Sequence, residues 1–195
     1  MKFHQLLILP VAITALVSCT TLKTESTTSA KIKQGVPGGE VVQTTTIRAT
    51  VTGLDAAKRK ITLVNPEGQK FTVTAGPEVV NFPQIRIGDQ LKMTLTEEIV
   101  VRMAKPGEKA HEAAAAAVGL APVGAKPGVI TAATYQTTAT VTAIDQHNRK
   151  ATLRFADGTS KKFPVRKDVD LTKRKVGEKV LIRATEVLAI RIEKP

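Results

Sequence analysis

Apolar and polar side chains alternate along much of this chain, as where Ile47, Ala49 and Val51 occupy one face and Arg48, Thr50 and Thr52 the other. A period of two belongs to a strand with one face turned to a core, and enrichment in Thr and Val favours the same conformation. Polar turns at 55–60 and 145–150 punctuate the pattern. So do the tight turns Asn65-Pro66-Glu67-Gly68 and Ala156-Asp157-Gly158, where Gly supplies a positive φ. Further strands are predicted at 69–74 and 160–165. Irregular segments follow at 76–87 and 166–176, with room for a short helix or 3₁₀ turn. Gly88-Asp89 and Gly177-Glu178 then each open a predicted hairpin, pairing 90–96 with 99–103 and 179–185 with 188–192.

The pattern itself repeats at an offset of 90 residues. Residues 49–55 (ATVTGLD) match 139–145 (ATVTAID), and 59–63 (RKITL) match 149–153 (RKATL). Phe71-Thr72-Val73 matches Phe163-Pro164-Val165 after a two-residue adjustment, and Thr96-Glu97 matches Thr185-Glu186. The expected fold is therefore all-β. It consists of two tandem five-stranded, OB-like or SH3-like small barrels at 44–104 and 135–195, joined by an Ala-rich, partly helical linker at 105–134. Five consecutive Ala with Glu108 and Glu112 ahead of them favour a helix there, although one so short is marginal alone.

Ahead of the repeats, Lys2 precedes an apolar run at 6–17 (LLILPVAITALV), and Ser18 and Cys19 follow it. The run is too short for a bilayer span of about 20 residues, so 1–18 reads as a signal peptide. Leu16-Val17-Ser18-Cys19 resembles the lipobox of bacterial lipoproteins. The resemblance implies cleavage before Cys19, diacylation of its thiol, and membrane anchoring through more than one acyl chain. Thr20 stands where some Gram-negative lipoproteins carry an Asp that retains them at the inner membrane, which implies the periplasmic face of the outer membrane. Residues 19–43, rich in Thr, Ser, Gly and Lys, are expected to form a flexible tether. Gly35 to Gly39 (GVPGG) precedes no phosphate-binding helix and belongs to it.

Composition narrows the function. Of 195 residues 29 are Lys or Arg and 17 Asp or Glu, a formal charge of +12; aromatic residues are 3%, with no Trp. Aromatic cages and base-stacking platforms are thereby disfavoured, and nucleic acid is not an expected partner. The lone Cys can form neither an internal disulfide nor a thiolate metal cluster. Residues 44–104 carry 8 basic and 6 acidic side chains, whereas 135–195 carry 14 and 7. The excess lies in Lys161, Lys162, Arg166, Lys167, Lys173, Arg174 and Lys175, a candidate surface for anionic lipid, lipopolysaccharide or wall polymer.

Catalytic signatures are absent: there is no GxSxG, Walker loop or HExxH, and no enzyme activity or cofactor is expected. His111 and His147 have no second His or Cys at ligand spacing. Met93 and Met103 face each other across the first predicted hairpin, either as core residues or as soft Cu(I) ligands. Glu97 and Glu186 recur at the hairpin turns, each expected to pair with a basic neighbour; Arg102 and Arg191 recur with them.

The signal, the segment Asn81-Phe82-Pro83-Gln84-Ile85-Arg86-Ile87-Gly88-Asp89, the Ala/Pro/Gly linker and the closing Thr185-Glu186-Val187-Leu188-Ala189-Ile190 together resemble a group of uncharacterised exported lipoproteins of proteobacteria. That resemblance covers 44–195 and implies an envelope location and a tandem β fold, with no activity or site residues attached. The modules also look loosely like small periplasmic copper chaperones with a five-stranded barrel, which hold Cu(I) through a His, two Met and a nearby Trp; Trp is absent here. The leading expectation is a lipid-anchored periplasmic binding or assembly module of unknown ligand. The alternative is a periplasmic copper-binding protein.

Overall fold

The computed structural model describes residues 24–77, 79–108 and 112–195, so Cys19 and His111 lie outside the described residues. Ten strands run in chain order: β1 (Glu25–Lys31), β2 (Gly38–Asp55), β3 (Lys60–Val64), β4 (Lys70–Thr74), β5 (Gln90–Met103), β6 (Ala113–Leu120), β7 (Gly128–Asp145), β8 (Lys150–Arg154), β9 (Ser160–Pro164) and β10 (Lys179–Glu193). Single 3₁₀ turns at Phe82–Gln84 and Leu171–Lys173 lie in the two irregular segments. The fold is all-β. Its strands form one open antiparallel sheet in the order β4-β3-β2-β5-β10-β7-β8-β9, with β1 added to β2 and β6 to β7.

The internal repeat is written into the backbone. Asp55 accepts a hydrogen bond from the Lys58 N–H and Asp145 one from the Asn148 N–H, which shapes equivalent turns that end on Arg59 and Arg149 at φ 52° and 51°. Both arginines then tie down the irregular segment that follows. Arg59 donates to the carbonyls of Ala75, Gly76 and Val79, and Arg149 to those of Arg166 and Val169. A register shift follows Val51 in β2 and Val141 in β7, where one extra residue bends each long strand. Gly88 and Gly177, at φ 94° and 95°, close matching turns whose N–H groups donate to the Val51 and Val141 carbonyls.

Three sequence expectations need correction. The predicted hairpins do not form: β5 and β10 are continuous, and they pair with each other, Glu97 opposite Glu186. Ile99 to Met103 still finds the partners a hairpin would have given it, but in the other repeat, opposite Val180 to Ala184, the counterparts of Leu91 to Leu95. Thr96-Glu97-Glu98 contains no Gly or Asn to take the positive φ of a tight hairpin, so the strand runs on and the pairing is exchanged between the repeats. The described residues of the Ala-rich linker are not helical either. Residues 113–120 form β6 along β7, because eight pairings to an existing strand outweigh the helix propensity of a short Ala run. Likewise β1, paired with β2 from Glu25 to Lys31, occupies part of the expected tether.

The exchange distributes the core. At one end of the sheet Ala49, Val51, Ile61, Leu63, Phe82 and Ile85 are buried together with Ile192, the end of β10. At the other, Ala139, Val141, Leu153 and Val180 are buried, with Val101 and Met103 from the end of β5 against them. Each core thus takes in the last strand of the other repeat. Between them the sheet is half-exposed on both faces, and β5 itself contains no fully buried residue.

Candidate functional site

Strand register gives a residue-by-residue comparison of the two ends. Ile61 and Leu63 of β3 lie opposite Val73 and Phe71 of β4, and Ala151 and Leu153 of β8 lie opposite Phe163 and Lys161 of β9. Phe71 therefore corresponds to Lys161 and Val73 to Phe163, with no two-residue adjustment. The 3₁₀ turns align Phe82 with Leu171 and Ile85 with Arg174. At these positions the first repeat packs Ile, Phe, Phe and Ile where the second has Ala, Lys, Leu and Arg; only Val73 to Phe163 goes the other way.

The lost side-chain volume appears as a cavity. A half-open groove of about 390 Å³ lies against the second repeat, with buried Leu153 and Leu171 and exposed Ile99 and Phe163 among its walls, beside Val101 and Ala151. Among the described residues its lining contains no Ser, Thr, Asn, Gln, His or Tyr, and its polar side chains are Arg102, Arg166, Arg174 and Glu178. Its apolar walls offer water few hydrogen-bond partners.

The four charged side chains are held to different degrees. Arg102 grips Glu108 through two guanidinium nitrogens, the shorter contact at 2.6 Å. This bond, with a second from the Lys105 N–H, holds the Glu108 carboxyl at about 2, well below its usual range. Arg166 is fully engaged: it donates to the carbonyls of Lys33, Val36 and Gly38 and pairs with Asp168. Asp168 also accepts from the Gly35 N–H, and the Arg166 and Gly35 bonds together hold it at about 2. These contacts clamp the β1–β2 loop over the second repeat, and Ile32 and Pro37 of that loop line the cavity. Arg174 is held most loosely, 3.6 Å from Glu178.

The first repeat is capped reciprocally, by the β6–β7 loop. Asn81 donates to the Ala121 and Pro122 carbonyls, and Lys126 pairs with buried Asp89. Burial opposes the Asp89 charge, but bonds from Lys126 and the Arg86 N–H overcome it and hold the carboxyl below its usual range.

The seven cations expected to form one surface separate into two groups. Arg166 is committed to the loop clamp, Lys173 pairs with Asp170 at 3.4 Å, and Arg174 pairs with Glu178. Lys161, Lys162, Lys167 and Lys175 are exposed and, among the described residues, form no ion pair. Lys161 lies on the same face of β9 as the cavity-lining Phe163, and Lys175 is adjacent to Arg174. Of the free lysines, Lys161 and Lys175 therefore lie beside the cavity, whereas Lys162 alternates to the other face of β9.

Other sequence candidates are dispersed. Met93 lies opposite Ile47 and Ile190, whereas Met103 lies opposite Val180, ten residues away on the same strand, or roughly 33 Å at strand rise. They do not face each other, and the two-Met copper site is not assembled. Glu97 and Glu186 pair with neither Arg102 nor Arg191, which instead bind Glu108 and Glu193; the two Glu face each other across the centre of the sheet. Among the described residues no three His, Cys, Asp or Glu side chains gather as a metal site requires, and no helix is long and apolar enough to cross a membrane. Sequence reasoning missed Ala151 and Leu171, and noted Arg102 without its partner Glu108. The contrast of Ile61 with Ala151 was visible in the repeat and is the signal that points to the cavity.

No family model matches this chain, and neither a curated protein nor a solved structure is significantly similar to it.

Proposed function

We propose that this chain is a non-enzymatic binding module of the bacterial cell envelope, anchored through acylated Cys19 at the periplasmic face of the outer membrane. In this reading each end of the sheet acts as a barrel-like unit, and the second presents its lysines to anionic lipid, lipopolysaccharide or wall polymer. One observation carries the proposal: Lys161, Lys162, Lys167 and Lys175 are exposed and, among the described residues, form no ion pair, in the repeat that carries 14 basic and 7 acidic side chains where the first carries 8 and 6. A basic side chain close to an anionic membrane contributes about 1 kcal/mol, so four act measurably at low salt and fade as the Debye length shortens to about 8 Å.

Sedimentation of the full chain carrying Cys19→Ser with phosphatidylglycerol vesicles tests the surface apart from the anchor. Binding is expected at low ionic strength and is expected to disappear when the four lysines become Glu. Equal binding to zwitterionic vesicles, or indifference to the four substitutions, refutes the reading. In cells the same Cys19→Ser change is expected to release the chain from membranes after a high-salt wash.

A further inference from the structure

We propose that the half-open apolar groove of the second repeat is a binding site for one unbranched acyl chain, whose anionic head group is held at the rim by Arg174 and Lys161. The proposal deepens the envelope-binding reading by naming what that half of the molecule holds, and rests on it for the source of the ligand.

Three observations converge. First, the space is a replacement of core by cavity rather than loose packing throughout. The same strands and turns enclose a filled core in the first repeat, where Ile61, Leu63, Phe82 and Ile85 are all buried. In the second, Ala151 and Leu171 shorten two walls at those positions, and about 390 Å³ is left open. That volume lies within the range of about 300–1,000 Å³ typical of small-molecule sites. An empty apolar space also forfeits dispersion contacts across its walls, which an aliphatic guest restores.

Second, the lining selects the guest. With no hydroxyl, amide or imidazole side chain among the described lining residues and one aromatic ring, Phe163, the walls away from the charged rim offer little to orient a sugar or a base, and they match methylene groups. Branched or fused-ring lipids also present apolar surface, but walls of Val, Ile and Leu drawn from several strands favour the guest that adapts its shape most freely, a single flexible chain.

Third, the positions where the apolar core is lost include two replaced by cations: Ile85 by Arg174 and Phe71 by Lys161. Of the arginines lining the cavity, Arg102 and Arg166 are saturated by Glu108, Asp168 and backbone carbonyls. Arg174, 3.6 Å from Glu178, has bonding capacity to offer an incoming carboxylate or phosphate. An apolar interior with cations at its border is complementary to an anionic amphiphile.

Calorimetric titration of the full chain with dodecanoate and with dodecan-1-ol, both below their aggregation concentrations, tests the proposal. One dodecanoate per chain is expected. The variant Ala151→Ile/Leu171→Phe, which restores the bulk of the first repeat, is expected to bind both compounds at least about tenfold more weakly. Arg174→Ile is expected to weaken dodecanoate by about threefold or more while leaving dodecan-1-ol unchanged. Circular dichroism establishes that the filled variant is folded; should it not fold, Ala151→Ile alone and the Arg174→Ile comparison carry the test. Absence of dodecanoate binding to the unmodified chain overturns the proposal, as does undiminished binding by a folded, filled variant. Vesicle sedimentation separates the two readings, because the filled variant keeps all four free lysines. A chain that binds dodecanoate but no anionic vesicles retains this site and loses the surface reading; one that sediments with vesicles but ignores dodecanoate does the reverse.

Discussion

At one end of the sheet Ile61, Phe82 and Ile85 close around Leu63, which is 0% exposed; at the other, Ala151, Leu171 and Arg174 stand around Leu153, which retains 7%. The turns that position these residues are nearly superimposable in kind. Asp55 and Asp145 begin them, Arg59 and Arg149 end them in the same left-handed conformation, and Gly88 and Gly177 close the irregular segments. Divergence has therefore spared the residues that specify backbone path and altered those that specify volume. The arginines show the consequence within one interaction. Arg59 lies 4.8 Å over the Phe82 ring and donates through Nε to the Ala75 carbonyl, whereas the second repeat has Leu171 in place of that ring and the buried Nε of Arg149 has no hydrogen-bond partner among the described residues. A duplicated scaffold can tolerate this when its other half is well packed, since the exchanged ends of β5 and β10 couple the two cores.

The sharpest way to break this comparison is to truncate the matching leucines. Leu63→Ala removes atoms from a filled core and is expected to cost about 3–5 kcal/mol, the range of well-packed sites. Leu153→Ala removes the same atoms from a wall that already faces open space, so fewer contacts are lost and about 2 kcal/mol is expected. Urea unfolding of both variants at equal slope measures the difference. Equal losses would show that the second core is as tightly packed as the first.

How far these features could be read from the chain depended on the range of the interaction. The period-two alternation and the turn residues located β3, β4, β8 and β9 closely, because strand period and turn chemistry are local properties. The 3₁₀ turns fell within the irregular segments for the same reason. The hairpins failed because the complementarity of 90–96 with 99–103 is real but the repeat supplies a second, equivalent partner, and local pattern cannot choose between them. The Ala run failed similarly: its helix propensity is intrinsic, while the β7 edge that captures it comes from distant sequence. As for the site, the excess of cations was legible by counting, but their division into clamped Arg166 and free Lys161 depends on Asp168 and on the β1–β2 loop, which lies 130 residues or so away. The cavity was legible only in part, since Ala151 is visible as a small residue while its alignment with Ile61 gains meaning from the register.

Acid provides a second, smaller probe of the difference between the two caps. Asp168, which holds the β1–β2 loop on the second repeat, has a folded value near 2 against an ordinary 3.8. A depressed folded value means that its stabilisation is present above the ordinary value and is lost as pH falls through the folded one, here between roughly 4 and 2. Glu108, near 2 against 4.5, adds a loss in the same direction. Melting temperature is expected to fall across this window, and Asp168→Asn is expected to flatten the fall while lowering stability at neutral pH. If the variant's profile stays as steep as that of the unmodified chain, the clamp contributes nothing measurable to the second repeat.

The smallest expected effect lies where the repeats meet. Residues 89 apart in the two copies, Glu97 and Glu186, stand directly opposite each other in the antiparallel β5–β10 pair, so the approximate two-fold axis relating the repeats passes between them. As long as both copies keep the same ionisable residue there it faces its own kind, and directly opposed like charges destabilise a sheet. Both side chains are exposed, which keeps the repulsion weak and sensitive to salt. Glu97→Gln is therefore expected to stabilise the chain by a few tenths of a kcal/mol, and Glu97→Lys, which creates an opposite-charge pair with Glu186, by slightly more, up to about 1 kcal/mol. The gain should shrink at high salt. A double-mutant cycle with Glu186→Gln isolates the coupling: if the exchange of strands between the repeats holds in solution, the two substitutions are non-additive. Strict additivity would instead place Glu97 and Glu186 in separate hairpins, each repeat closing on its own strand.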